Sequence, residues 1–184
     1  MIALRHRGRL TLRNERGTAL VEFALVLPLV LVLLLGMIDV GKAVNYWNDE
    51  THLANEAARA AAVNNSPDPN WAATKNNPSY KINTAILNQA DSNELKTGGS
   101  SSIPSPMSVC IYFPSGTHNV GDPLKVVVKV QYNWLGYLVG RRGGSLPSSQ
   151  LTATSTMRIE QAPSSNVTTP TSNDAYVASS SNSC

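Results

Sequence analysis

Residues 16–42 read RGTALVEFALVLPLVLVLLLGMIDVGK, and this stretch decides the fold. Between Ala19 and Ile38 the one charged residue is Glu22, and the others are Leu, Val, Ala, Phe, Met, Ile, Gly and Pro. A helix needs about 20 such residues to cross a hydrocarbon core ~30 Å thick. The stretch therefore predicts a transmembrane helix, although it carries a glutamate close to its start.

A cleaved secretory signal is the competing interpretation of this stretch. Such signals have an apolar core of roughly 7 to 15 residues, which is followed by a small-residue cleavage site. Here the apolar run is longer, and it is followed by Asp39 and Gly41 without an A-x-A pattern. The pattern favours a membrane anchor.

The charge before the apolar run is strongly basic. Residues 1–17 hold Glu15 and five arginines, a net charge of +4, so the +3 of the whole chain leaves −1 for the remainder. Basic residues before a first membrane helix keep that end in the cytoplasm. We expect a cytoplasmic N-terminus in the inner membrane and an extracytoplasmic C-terminal domain. The pI near 9.0 arises mostly from this head, so we expect no nucleic-acid partner; a phosphate-binding arm is the rival interpretation.

The helical pattern continues beyond the apolar run. Apolar residues recur at alternating intervals of four and three, a spacing that lays one stripe along a helix. We predict one helix over residues 18–63, transmembrane to about residue 38. Its stripe must pack against the chain's own globular part or against neighbouring subunits. The stripe comprises Leu33, Met37, Val40, Val44, Trp47, Thr51, Ala54, Ala58 and Ala61.

The remainder of the chain predicts a small α+β domain over residues 64–161. A short second helix is expected over residues 80–95, and strands are expected at 107–113, 124–134 and 151–160, where apolar and polar residues alternate or β-branched residues cluster. The first two strands are separated by turn residues, which indicates an antiparallel hairpin. The predicted fold is thus one long N-terminal helix followed by a short helix and a three-stranded antiparallel sheet. Residues 162–184 are rich in Ser, Thr and Asn, so we expect a tail there unless Cys184 anchors it.

The two cysteines, Cys110 and Cys184, are a candidate disulfide. A chain part that faces an oxidising compartment favours a bridge over a metal or redox site. Two free thiols and intermolecular pairing are the alternatives.

Neither an enzyme nor a cofactor site is predicted. The sequence has no glycine-rich loop between a strand and a helix, no Cys/His cluster with metal spacing and no nucleophile in a recognisable elbow. We interpret the carboxylates Asp39, Asp49, Glu50 and Glu56 as solvated charges on a helix face.

The most informative constellation is the basic head, then Gly17, four residues, Glu22 and the apolar run. It resembles the class III signal of type IV prepilins and pseudopilins. That resemblance implies that a membrane-embedded prepilin peptidase cuts after Gly17, which makes Thr18 the new N-terminus and Glu22 the fifth residue of the mature chain.

Physical chemistry gives Glu22 a role in assembly. A carboxylate in lipid is costly unless it meets a cation, and such residues usually mark function. In a bundle of parallel helices, Glu22 of one subunit can pair with the terminal amine of a neighbour and so define the axial register. The alternative is that Glu22 lies near the bilayer boundary and reaches the headgroups.

Pro28 removes the backbone donor for the carbonyl of Ala24, so we predict a kink or a loosened turn. Filament flexibility and a passive kink are equally compatible with this residue.

Within the pseudopilins, GTALVEFALVLPLVLVLLLGMIDVGKA, NEAARAAA and LTATSTMRIE resemble the TadE-like family of tight-adherence pilus systems. The resemblance is strong through residue 63 and looser over residues 124–160. It implies a non-catalytic minor pseudopilin that takes part in pilus assembly. The implied partners are a prepilin peptidase, other pilin and pseudopilin subunits, an inner-membrane assembly platform and membrane lipid.

Two rival functions remain. One is a single-pass, membrane-tethered extracytoplasmic binding module that is neither cleaved nor part of a filament. The other is an uncharacterised enzyme domain on an anchor.

Overall fold

The computed structural model of the chain describes residues 15–67, 81–117, 119–136 and 147–161. The chain divides into two compact units, Met1–Ile38 and Asp39–Cys184. Its described elements are, in chain order, α1 (Glu15–Ala62), α2 (Ile82–Gln89), α3 (Asn93–Thr97), β1 (Ser108–Tyr112), β2 (Pro123–Asn133) and β3 (Ser148–Arg158). The predicted α+β class, with a long N-terminal helix and a three-stranded antiparallel sheet, is confirmed.

Helix α1 has 48 residues and continues on both sides of Pro28. Leucine and alanine dominate its composition, and both have high helix propensity. The helix ends at an asparagine: Asn64 has a φ of 46°, and the N–H groups of Asn64 and Asn65 donate to the carbonyls of Ala61 and Ala60 at 3.1 and 3.0 Å. A left-handed residue that satisfies the last carbonyls is a common helix stop, and asparagine tolerates that conformation better than most residues.

The short helix that was predicted over residues 80–95 is observed as two helices, α2 and α3. Ala90 leaves the helical region with φ −49° and ψ 139°. Ser92 then caps α3, where its Oγ accepts a hydrogen bond from the N–H of Leu95. Serine competes for backbone hydrogen bonds within a helix but stabilises a helix start, which explains the break.

The sheet is an antiparallel meander in the order β1-β2-β3. Cys110 lies opposite Val127, and Val127 lies opposite Thr154. The predicted hairpin of the first two strands is confirmed, and each predicted strand overlaps an observed one.

The second unit has one apolar core. The largest part of its sheet contribution comes from alternate residues of β2, because successive side chains of a strand point to opposite faces; β1 and β3 add Val109, Ile111 and Ala153. Helix α1 contributes residues between Ala43 and Ala61, about five turns, and α2 and α3 contribute Ile82, Ile86 and Leu95. The core residues of β2 are Leu124, Val126, Val128, Val130 and Tyr132, of which four are 0% exposed.

The predicted apolar stripe of α1 is right only in its last part. Ala54, Ala58 and Ala61 are buried as expected, but Val44 is 51% and Trp47 is 52% exposed. The face that is buried before Ala54 lies one residue earlier in the helix. It consists of Asp39, Ala43, Tyr46, Glu50 and Leu53.

Candidate functional site

The residues of the predicted processing signal lie in the first turns of α1. Gly17, Thr18 and Glu22 are all exposed. A Cβ built on Gly17 would meet no atom within 4 Å. Thr18 and Glu22 are four residues apart, so they lie on the same face of the helix with an axial separation of about 6 Å.

An apolar surface follows directly after Glu22. Phe23, Leu25 and Leu29 are 63%, 78% and 64% exposed. Helix α1 is long and apolar enough to cross a membrane by length and composition, and the most apolar window within Gly17–Ala62 is 0% buried. These properties are compatible with single-pass membrane anchoring.

Pro28 lies within this apolar surface, six residues after Glu22. It removes one backbone donor from the helix. The predicted kink or loosened turn at this residue stays a prediction.

The second part of α1 holds carboxylates in a different environment. Asp39 is only 2% exposed. Its Oδ1 accepts a hydrogen bond of 2.7 Å from the hydroxyl of Tyr132, and its Oδ2 accepts one of 2.8 Å from the backbone N–H of Leu135. The Tyr132 ring also packs edge-on against Trp134, with ring centroids 5.1 Å apart. Asp39 therefore attaches the helix to the end of β2.

Two further contacts join α1 to the α2–α3 region. The hydroxyl of Tyr46 donates a hydrogen bond to Oε2 of Glu94. Burial raises the pKa of the Tyr46 hydroxyl, and the hydrogen bond and charge of Glu94 act in the same direction. One turn later, Oδ2 of Asp49 accepts from the backbone N–H of Asp91 at 2.9 Å.

Glu50 is the most unusual carboxylate of the helix. It is 0% exposed, and neither carboxylate oxygen has a hydrogen-bond partner in the part of the chain that the structure describes. Burial raises the pKa of Glu50 to about 8, and the neighbouring Asp49 adds to the increase. Glu50 is therefore protonated at neutral pH, because the interior disfavours its charged form.

The interpretation of all four carboxylates as solvated charges is therefore wrong for Asp39 and Glu50. Their signal was present in the sequence. Asp39, Ala43, Tyr46, Glu50 and Leu53 have the same alternation of four and three as the stripe that was preferred. The stripe chosen from the sequence contained more apolar side chains. The stripe that is buried was overlooked because it contains two acids, Asp39 and Glu50.

The candidate disulfide is described only at one end. Cys110 lies in β1 and is 0% exposed. Cys184 lies outside the described residues, as do the leader residues before Glu15. The bridge stays a prediction.

The helix and sheet region was the part of the chain in which a ligand site could lie. Within residues 15–67, 81–117, 119–136 and 147–161, no three His, Cys, Asp or Glu residues are placed to hold a metal ion. An open cleft of about 610 Å³ lies between α1 and the end of α2. It is lined by polar residues that include Asn45, Asn48, Asp49, His52 and Asp91.

Comparison with known families assigns the first part of the chain. Residues 17–62 match the model of the TadE-like protein family. The matched segment begins at Gly17 and ends with α1, so it contains Thr18, Glu22 and Pro28. No curated protein and no solved structure matches the chain. The resemblance to TadE-like proteins is confirmed over this segment.

Proposed function

We propose that this chain is a minor pseudopilin that takes part in the assembly of a tight-adherence pilus after a prepilin peptidase has cut it behind Gly17. The observation that carries the proposal is the start of the family match. The match begins at Gly17, the residue at which a basic head meets an exposed apolar helix with Glu22 in its second turn.

Cleavage would create a cationic partner for Glu22. Cutting the Gly17–Thr18 bond leaves an α-amino group on Thr18, about 6 Å along the axis from Glu22. An uncompensated carboxylate is costly within an apolar medium. In a bundle of parallel helices, an axial offset of about one turn brings the amine of one subunit beside Glu22 of the next. Pairing of the two charges then selects one register among many that apolar packing alone would allow.

The role is structural and not catalytic. The expected partners are the peptidase, other pilin and pseudopilin subunits, an inner-membrane assembly platform and the lipid around the apolar helix. The family match and the exposed apolar surface support a location in the inner membrane, with the N-terminus in the cytoplasm because the head carries a net charge of +4.

Processing can be tested with two glycines of the same helix. Gly17→Leu should abolish cleavage in cells that hold an active prepilin peptidase, because a branched side chain would occupy the scissile position. Gly36→Leu is the matched control, since a Cβ at either glycine meets no atom within 4 Å. The sizes of the membrane-extracted chains should differ by the leader. A mature-sized Gly17→Leu chain would place the scissile bond elsewhere, and an uncleaved wild-type chain would favour the membrane-tethered binding module.

Assembly can be tested at Glu22. Glu22→Ala should still insert into the membrane, because it removes a charge from the span, but it should reduce incorporation into pili to background. Glu22→Gln keeps the size of the side chain and removes only the charge, so it should fail in the same way. Normal incorporation of both variants, measured by immunoblot of sheared pili, would disprove the register role.

A further inference from the structure

The outer face of the sheet, which is the face turned away from the core, is buried around Cys110. Successive side chains of a strand point to opposite faces, and the core takes Val109 and Ile111 of β1 and the even-numbered residues of β2 from Leu124 to Tyr132. Cys110 and Val127 lie opposite each other in the register, so both belong to the outer face. Cys110 is nevertheless 0% exposed and Val127 6% exposed. These two residues are therefore covered by something other than the core.

The burial of the outer face decreases with distance from Cys110. Ser108 and Tyr112, its neighbours on the same face of β1, are half-buried. Thr154 lies opposite Val127 on β3, and its side chain is exposed. The cover is therefore centred on Cys110 and ends before it reaches β3.

The described helices do not supply this cover. Helices α1, α2 and α3 all contribute to the core on the other face of the sheet. Helix α2 meets β1 at the free edge of that strand, where Nδ2 of Asn83 donates to the carbonyl of Val109 at 2.8 Å. Val127 lies one strand further in, on the central strand of the sheet. The cover over Cys110 and Val127 therefore comes from another part of the chain.

The sulfur of Cys110 indicates which part of the chain this is. No described cysteine is a free thiol, so the sulfur of Cys110 is engaged. Cys184 is the one other cysteine of the chain, and it ends the polar segment 162–184. In an oxidising compartment two such cysteines favour a bridge.

The length of the segment permits this pairing. Gln161, whose N–H donates to the carbonyl of Ala62, lies seven residues beyond Thr154, which is in the same row as Cys110. A rise of about 3.3 Å per residue and a spacing of about 4.8 Å per strand give a distance of roughly 25 Å from Gln161 to Cys110. The 184 − 161 = 23 residues that follow Gln161 span up to about 76 Å when extended. The segment is therefore long enough to follow the surface of the sheet to Cys110.

We infer that residues 162–184 lie on the outer face of the sheet and are fixed there by a disulfide bond between Cys110 and Cys184. The two thiols form one S–S bond and lose two protons and two electrons. A disulfide of another molecule in the extracytoplasmic compartment accepts them and is reduced to two thiols. The second unit thus reaches this closed form only where thiols are oxidised.

The inference does not depend on the proposed function, because neither cysteine lies in the segment 17–62 that matches the TadE-like family. An uncut leader would disprove processing and leave the bond unaffected.

The bond is tested by thiol mapping of the full-length chain, extracted in detergent without reduction. The peptides that contain Cys110 and Cys184 should be recovered as one linked species from a monomeric chain. Two alkylated thiols would overturn the inference, and so would a disulfide-linked dimer.

The position of the segment is tested with Cys184→Ser in the full chain. A free segment of this composition does not order itself. Cys110 of the folded variant should therefore react with a maleimide within about tenfold of its rate in the urea-unfolded chain, because no global unfolding is needed to expose it. If a different part of the chain covered Cys110, the folded variant would react about a thousandfold more slowly or less, and the inference would be overturned.

The matched control for the reagent is Thr154→Cys in a chain that also carries Cys110→Ser and Cys184→Ser. Thr154 is exposed on the same face of the sheet, so its thiol should react at similar rates in the folded and unfolded chains.

Discussion

The two parts of helix α1 share one backbone conformation but differ in what surrounds them. Before Asp39 the large apolar side chains are exposed, with Leu33 at 65% and Met37 at 74%. From Asp39 onward one face is buried and takes two acids with it, Asp39 at 2% and Glu50 at 0% exposed. Helix propensity therefore does not distinguish the two environments. The side chains on each face of the helix indicate whether that face is buried in the core or exposed.

Three acids of α1 show the difference between its two parts most clearly. Glu22 is an exposed carboxylate within an apolar run, Asp39 is buried with two strong donors, and Glu50 is buried with no described partner. The three acids differ in what compensates them: a cation for Glu22 under the proposed function, hydrogen bonds for Asp39 and a proton for Glu50.

Removal of the Asp39 carboxylate should give the largest effect on stability. Asp39→Ala leaves the Tyr132 hydroxyl and the Leu135 N–H without their carboxylate acceptor, so we expect a loss of about 3–5 kcal/mol in the free energy of unfolding. Tyr132→Phe removes one of these hydrogen bonds and should cost roughly half as much. Urea unfolding followed by tryptophan fluorescence measures both. An Asp39→Ala chain within about 1 kcal/mol of wild type would show that this attachment is unimportant.

Two leucines of the same helix should separate its two environments. Leu53 is 1% exposed in the core, and Leu33 is 65% exposed. Leu53→Ala should lower the free energy of unfolding of the second unit by about 3 kcal/mol, because it opens a cavity. Leu33→Ala should change the same quantity by less than about 0.5 kcal/mol. Equal effects of the two substitutions would contradict the assignment of buried and exposed parts.

The pH dependence of stability should reveal Glu50. Its pKa is raised from 4.5 to about 8, so the folded chain holds a proton that the unfolded chain releases in this interval. The contribution of Glu50 to stability is thus fully present below pH 4.5 and is lost as the pH rises towards 8. We expect a decrease of up to about 5 kcal/mol across that window.

Glu50→Gln should flatten this decrease, because the amide does not titrate. Glu56→Gln, a half-buried position of the same helix, should retain the wild-type slope. Urea midpoints at pH 5 and pH 8 give the comparison. A wild-type slope in the Glu50→Gln chain would show that Glu50 does not carry the proton.

The sequence predicted the elements better than their contacts. Long periodic segments identified α1 and the three strands to within a few residues, because periodicity is a local property. The break between α2 and α3 was not predicted. Whether Ser92 lies inside a helix or caps one depends on the tertiary position of α3. Asp39 shows another limit of sequence-based prediction, because its donors Tyr132 and Leu135 lie 93 and 96 residues away. Pairings at such separations leave no local pattern.

The residues of the candidate site show the same difference between local patterns and long-range contacts. Gly17, Thr18 and Glu22 were predicted from the basic head, their spacing and the resemblance to prepilin signals, because all three lie within a few residues of one another. Their roles stay predictions. Glu50 was misread as solvated, because its burial depends on which of two adjacent stripes faces the core. Cys110 was predicted to lie in a strand, but its place on the outer face of the sheet required the observed register.

The central claim is that Glu22 of one subunit pairs with an amine created by cleavage after Gly17. The most direct measurement is N-terminal sequencing of this chain recovered from purified pili. The account predicts a sequence that begins TALVEFALVL, with Thr18 first. An assembled chain that still begins at Met1 or Ile2 would leave Glu22 without its amine and would contradict the account.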